Sequence, residues 1–336
     1  MSDQALRELL GEGHAYSCEY ADELSNHLAM ALIALYRLGA NAGRMRAFAD
    51  HYMRRLVRKP PVTRLISSAE WESSLGKHTD EAELNAYFEG EIAARGPDDT
   101  LRRHLPVLMP GVAGGAFHGL IRIGYALDAD DQQELAEGLT AWSMSYLELA
   151  GPAAPPLFGS PDEALAALHA DPAFDELKPH GSTIFEQIAA AASLTAFTPY
   201  RSCLPYERVT LAALARGALS IYASSLSFTA LHMVTACHAL RLTLPWVEDQ
   251  EAALRHLWTA ILAAYVTIGR PTPAEAGVLD RVPREVPDWD EIAEHATQSR
   301  DDHVIKLVYT CREEQKAYGW PVYQALAARK AGLTAG

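Results

Sequence analysis

Four of the thirteen histidines in this 336-residue sequence stand where a buried helix would ordinarily carry leucine. His27 lies in Asn26-His27-Leu28-Ala29-Met30-Ala31-Leu32, apolar nearly all round, with Glu23 one turn earlier to orient it. His118 closes the run Gly111-Val112-Ala113-Gly114-Gly115-Ala116-Phe117-His118. Glycine at that density weakens a helix by about 1 kcal/mol per residue relative to alanine, so close approach of a neighbouring helix or a ligand is expected to compensate. Arg122 and Tyr125 share the face of His118, and a cation and a phenol beside an imidazole suit an anionic or phenolic ligand. His232 sits in Phe228-Thr229-Ala230-Leu231-His232-Met233-Val234, with Phe228 and Thr235 on its side and His238 pointing elsewhere. His303 begins the apolar run Val304-Ile305-Lys306-Leu307-Val308, and Lys306 shares its face. A buried lysine needs a partner, a depressed pKa or chemical modification, and a carbamylated Lys306 would be an anionic ligand beside His303. A lysine that snorkels to the surface fits the pattern as well.

Taken singly, each imidazole also fits a hydrogen-bonded core histidine. Taken together, they describe a core into which several helices each send one imidazole, as non-haem metal sites in helical proteins are built. Nitrogen-rich ligation suits iron, zinc or copper rather than magnesium or calcium.

The elements that must position these residues read as helices throughout. Alanine and leucine dominate an apolar fraction of 49%, and no strand-like alternation persists. Helical segments are expected over Glu19–Leu38 (ended by Gly39), Arg44–Arg58 (stopped by Pro60 and Pro61), Asp80–Arg95, from Asp98 or Asp99 through Leu108 to Pro110, Gly111–Leu127 and Asp130–Leu149. Residues 151–205 are richer in proline and glycine, with short helices at Pro161–Ala170 and Ser182–Ala191, and read as a lid or a crossover within the domain. Further helices are expected over Glu207–Leu242, as one long helix or a pair broken at Gly217, then Glu248–Ile268, Trp289–Ala317 and Trp320–Ala331. The expectation is an all-α fold, one large multi-helical domain over 1–336 with a metal or substrate pocket in its core.

Composition narrows the function classes. Against 29 basic residues stand 43 acidic ones, a formal net charge of −14 that repels nucleic acid and anionic lipid. No run reaches membrane-spanning length, and the N-terminus lacks a signal-peptide pattern. Cys18, Cys203, Cys237 and Cys311 form no CxxC pair and suit a reducing compartment, so a soluble cytoplasmic protein is expected. There is no GxGxxG after a strand, P-loop, GxSxG elbow, HExxH or EF-hand loop.

His104-Leu105-Pro106 through Gly111, Ala116-Phe117-His118-Gly119-Leu120-Ile121-Arg122 and Gly124-Tyr125-Ala126-Leu127 resemble the questin oxidase-like family. So do Asn26-His27-Leu28 with Leu38-Gly39-Ala40, His232-Met233, and Asp302-His303-Val304-Ile305-Lys306-Leu307. The resemblance runs from about residue 20 to 315 and is weakest in the proline-rich middle. It implies a helical oxidoreductase of aromatic polyketide chemistry, including oxygen-dependent opening of an anthraquinone ring. That activity is either iron-dependent ring cleavage or a Baeyer–Villiger-type oxidation with NADPH as co-substrate. Carried over by motif, His27, His118, His232, His303 and Lys306 are the implied metal residues. His118, Lys306, Arg122 and Tyr125 are the candidate catalytic groups.

The absence of a dinucleotide fingerprint favours the iron oxygenase, with Lys306 as a modified ligand or base and Arg122 and Tyr125 holding a polycyclic aromatic substrate. The competing expectations are a metal-free NADPH-dependent oxidase and a helical carrier or scaffold for hydrophobic ligands.

Overall fold

In the computed structural model, residues 2–21, 23–149, 151, 155–176, 180–281 and 285–334 are described. The chain is built from helices: α1 Ser2–Gly13, α2 Leu28–Arg37, α3 Ala42–Tyr52, α4 Glu81–Arg95, α5 Pro97–Leu108, α6 His118–Ala129, α7 Gln132–Met144 and α8 Pro161–Ala170. There follow α9 Ile184–Ser193, α10 Leu211–Ser225, α11 Phe228–Thr243, α12 Gln250–Thr267, α13 Ala276–Leu279, α14 Trp289–Gln298, α15 Asp302–Tyr318 and α16 Val322–Lys330. Strands among the described residues are limited to a two-residue hairpin, β1 Glu19–Tyr20 with β2 Leu24–Ser25. The fold is all-α. A continuous buried cluster runs from Leu6 to Ala328, and no described helix is long and apolar enough to cross a membrane.

The helix boundaries follow local chemistry. Asn41, Ser160, Thr210, Asp249 and Asp288 each accept a hydrogen bond from a backbone amide of the first turn, satisfying a donor that would otherwise be orphaned. Gly39 and Gly319 adopt positive φ just past α2 and α15, where a left-handed residue ends a helix.

Four helices carry the architecture of the site. α2 packs on α6, α6 on α11, α11 on α15, and α15 on α2, closing a ring. The seam between α6 and its neighbours explains the glycines. A Cβ at Gly119 would lie 2.4 Å from Cβ of Trp142 in α7, and one at Gly124 would lie 2.9 Å from Cα of Ala239 in α11. Helix backbones come this close only where side chains are missing.

Several sequence expectations shift. The helix expected over Glu19–Leu38 begins only at Leu28, because residues 19–25 turn back as the hairpin with Ala21 and Glu23 at positive φ. The segment Gly111–Leu127 is not one helix: Gly115, Ala116 and Phe117 take left-handed dihedrals, and α6 starts at His118. Glu207–Leu242 divides at Leu226, itself left-handed, and not at Gly217, which stays helical against the Trp258 ring. Trp289–Ala317 divides at Ser299–Asp301, where Asp301 caps α15. The segment 151–205 is mostly exposed or half-buried but sends Leu165, Leu168, Ile188 and Phe197 into the core; residues 182–185 reach the cavity described below, and 152–154 and 177–179 lie outside the described residues.

The tightest contact is a test of this packing. A Cβ at Gly114 would sit 1.7 Å from the carbonyl oxygen of Ser145. Gly114→Ala is therefore expected to destabilise the protein by about 3 kcal/mol or more, read as a lowered urea midpoint; an unchanged midpoint would show that the 111–118 segment can move away from α7.

Candidate metal centre

The N-terminal ends of α2, α6, α11 and α15 meet, and each delivers one imidazole. His27 immediately precedes α2, His118 opens α6, His232 stands in the second turn of α11, and His303 is the second residue of α15. Their rings cluster: centroids lie 4.5 Å apart for His27 and His118, 4.8 Å for His27 and His303, 4.9 Å for His118 and His232, and 5.6 Å for His232 and His303. None of the four is in a helix interior except His232, which corrects the expectation of mid-helix positions for the others. Helix starts suit the task, because the positive dipole end disfavours protonation of an adjacent imidazole.

Each ring has an acceptor at Nδ1. His27 donates from Nδ1 to Oδ2 of Asp302 at 2.5 Å. His118 donates to the carbonyl of Gly115, which the left-handed 115–117 segment turns toward it. His232 donates to the carbonyl of Phe228 at 2.8 Å. His303 has its Nδ1 3.2 Å from Asp302 and 3.4 Å from Asp301. With Nδ1–H fixed in this way, each Nε2 carries a lone pair. The Nε2 atoms of His27 and His118 lie 2.7 Å apart, and that of His303 is buried without a hydrogen-bond partner among the described residues.

Two lone pairs at that separation repel unless a proton or a metal ion lies between them. A proton is disfavoured. Burial, then the Lys306 and His303 charges, push His27 well below the ordinary imidazole value; burial and the neighbouring cluster do the same for His118 and His232. A metal ion fits instead, because octahedral ligands at about 2.1 Å stand about 3 Å from one another. Imidazoles held from behind by carboxylate or carbonyl oxygens are the usual support of metal-bound histidine. Asp302, His27 and His303 also bring ligand atoms within 4.8 Å of one another. The carboxylate's hydrogen-bond distance from Nδ1 of His27 makes it the support of the rings rather than a ligand.

Lys306 lies behind this cluster, 2% exposed, with no carboxylate within ion-pair distance among the described residues. Burial pushes its ammonium down to about 8, against the pull of Asp302 and Asp301. It does not snorkel.

The imidazoles floor a cavity of about 530 Å³, within the usual range for small-molecule sites. Its walls include Tyr20, Leu24, Ile184, Phe185 and Phe228. Phe228 stands 4.7 Å from the His232 ring and 4.6 Å from the His303 ring.

Two expected substrate contacts are corrected. Arg122 does not line this cavity; it is buried and donates to Glu134 from Nε at 2.6 Å and from Nη2 at 3.1 Å, with Cys18 Sγ 3.2 Å from Nη1. One turn of helix carries it past the mouth, toward α7. Tyr125 is buried a further turn on, its hydroxyl 3.5 Å from the carbonyl of Lys306. Glu23 lines the cavity from the hairpin instead of orienting His27. The carboxylate that does so, Asp302, was missed, although the Asp301-Asp302 pair directly before His303 is its sequence signal. Tyr52, whose hydroxyl accepts from the His27 amide at 3.0 Å, left none.

Fold and site together define a helical protein with a four-histidine centre under an aromatic-walled cavity. The chain belongs to the questin oxidase-like family, whose sequence model matches residues 24–311. Membership places it among oxidoreductases with a small-molecule substrate. No curated protein matches the sequence at a significant level.

The Arg122 network yields a stability prediction. Burial opposes ionisation of Glu134, yet the Arg122 guanidinium and the His14 hydrogen bond bring its carboxyl down from 4.5 to about 2. A depressed carboxyl stabilises the fold above its unfolded value and loses that contribution as pH falls toward about 2. Glu134→Gln should cost about 3 kcal/mol at neutral pH, the gap closing between about pH 4 and pH 2, as measured by urea titrations of both proteins.

Proposed function

We propose that this protein is a non-haem iron oxygenase that oxidises or cleaves a polycyclic aromatic, anthraquinone-type substrate with molecular oxygen. The observation that carries the reading is the close approach of the His27 and His118 Nε2 atoms, 2.7 Å apart with both Nδ1 atoms held by oxygen acceptors. His27, His118, His232 and His303 would hold the iron, and Lys306, as a carbamate or as a neutral amine, would complete or border its surroundings. Iron there supplies the redox chemistry that lets oxygen react with a closed-shell ring system.

The chain's own residues do the rest. Asp302 keeps His27 in the Nδ1–H tautomer and offsets positive charge beside the rings. Phe185, Phe228 and Tyr20 give a planar substrate apolar faces and keep water from the imidazole floor. A buried lysine with a lowered pKa has a neutral amine at mildly alkaline pH, the form that adds carbon dioxide to give a carbamate and a proton. NADPH remains a candidate co-substrate, without a dinucleotide-binding domain to hold it.

Untagged wild-type protein is expected to carry near-stoichiometric iron, and His118→Ala and His303→Ala are expected to lose it. Iron retained in both variants, or no bound metal after anaerobic reconstitution, would overturn this reading in favour of a metal-free oxidase or a carrier. Asp302→Asn should weaken iron binding about 10- to 100-fold while leaving the four imidazoles in place. Carbamylation of Lys306 is read independently, as a carbamate resonance in protein equilibrated with carbon-13 bicarbonate that disappears in Lys306→Ala.

A further inference from the structure

In a chain of net charge −14, the cavity mouth is flanked by cations that lack acidic partners. Arg55, at the end of the Met53–Arg55 turn after α3, and Arg300, in the turn before α15, both line the cavity and are exposed. Neither forms an ion pair among the described residues, whereas Arg37, Arg46, Arg64, Arg95 and Arg216 elsewhere on the surface all do. Arg55 is held in place: its guanidinium stacks 4.4 Å over the ring of Tyr52, the residue whose hydroxyl accepts from the His27 amide. Arg54 is close by, and the field of the group is felt at half-buried His51, which burial and then the charges of Arg300, Arg55 and Arg54 push below its ordinary value.

Two of the three carboxylates that line the cavity are otherwise engaged. Asp302 accepts from His27. Asp301 accepts from the His303 amide at 2.9 Å and caps α15. The third, Glu23 on the hairpin, is exposed and forms no ion pair with either arginine among the described residues. An aromatic-walled chamber with an imidazole floor is thus entered past two unpaired guanidinium groups, whose planar forks match an anionic oxygen pair.

We propose that Arg55 and Arg300 determine substrate specificity by binding an ionised oxygen group, a carboxylate or phenolate, on the edge of the aromatic ring system whose face lies over the histidines. This deepens the proposed function and rests on the cavity being its substrate site. The apolar walls hold the rings, and the two arginines fix which edge stays at the mouth and which reaches the floor.

The test uses the full chain and two probes of one shape, 9,10-anthraquinone-2-carboxylate and its neutral carboxamide, with binding followed by equilibrium dialysis at low salt. Wild type is expected to bind the carboxylate about tenfold more tightly, since two exposed ion pairs each contribute a few-fold, and added salt should erode the preference. Arg55→Gln and Arg300→Gln should each reduce it and the double variant abolish it, with carboxamide affinity unchanged; Arg55→Lys should restore part of it. Equal binding of the two probes by wild type, no binding of either, or a preference that survives in the double variant would overturn the proposal. A preference that survives there but disappears on chelation would assign the carboxylate to a metal instead. Iron content of the same samples keeps the two proposals separable: selectivity through the arginines without iron sinks only the oxygenase, and iron without selectivity sinks only this assignment.

Discussion

The carboxylate of Asp302 is the constraint on which the site depends. It is buried and lies against the Nδ1 atoms of two imidazoles, His27 and His303, from opposite ends of the chain. A buried carboxylate without such partners would be costly, and a buried imidazole without an acceptor would be free to choose its tautomer and orientation. Joining them solves both problems and ties both rings to one buried anchor. Because Asp302 and His303 are the first two residues of α15, the positive helix end also stabilises the carboxylate. The docking of α15 against α2 and the formation of the site are therefore one event.

The remaining two imidazoles are held by main-chain carbonyls, and for His118 this demands unusual backbone. Ala116 and Phe117 occupy left-handed dihedrals that cost an L-residue on the order of 1–2 kcal/mol each. The surrounding contacts over-determine them: Phe117 is fully buried, and Gly114 and Gly119 lie against α7. Strain held in this way next to a reactive centre is common, because it fixes a side chain where relaxed geometry would not. The buried network of Arg122, Glu134, Glu137, Lys59, His14 and Cys18 anchors the same region from the opposite side of α6. Arg122 thus supports the site through packing, not by touching its contents.

Seen from solvent, the chemistry is layered. Guanidinium groups stand at the mouth, aromatic rings line the walls, and neutral imidazoles form the floor, with a buried lysine beneath them. Such an order suits a flat, largely apolar molecule with one charged edge, which meets the arginines before its rings displace water from the floor. It suits a hydrophobic carrier less well, because a carrier has no need to gather four imidazoles on one cavity floor with three of their Nδ1 atoms hydrogen-bonded to oxygen acceptors.

The sequence by itself determined the helical class, through its alanine and leucine content and its caps, and it singled out the four histidines and Lys306, because polar residues inside apolar runs are conspicuous without any partner in view. It also marked a close helix contact at the glycines of 111–124. Other features depended on pairs far apart in the chain. His27 and Asp302 are separated by 275 positions, so no local pattern could assign that acceptor, and Glu23 was the nearer but incorrect choice. Helical periodicity placed Arg122 and Tyr125 on the face of His118, but they lie one and two turns further along α6, where Arg122 meets Glu134 of α7 and Tyr125 meets α15 instead of the cavity. Only the tertiary structure decided which side chains look into the cavity, because that direction is set by how α2, α6, α11 and α15 pack at their N-terminal ends, and packing is a property of the assembled core.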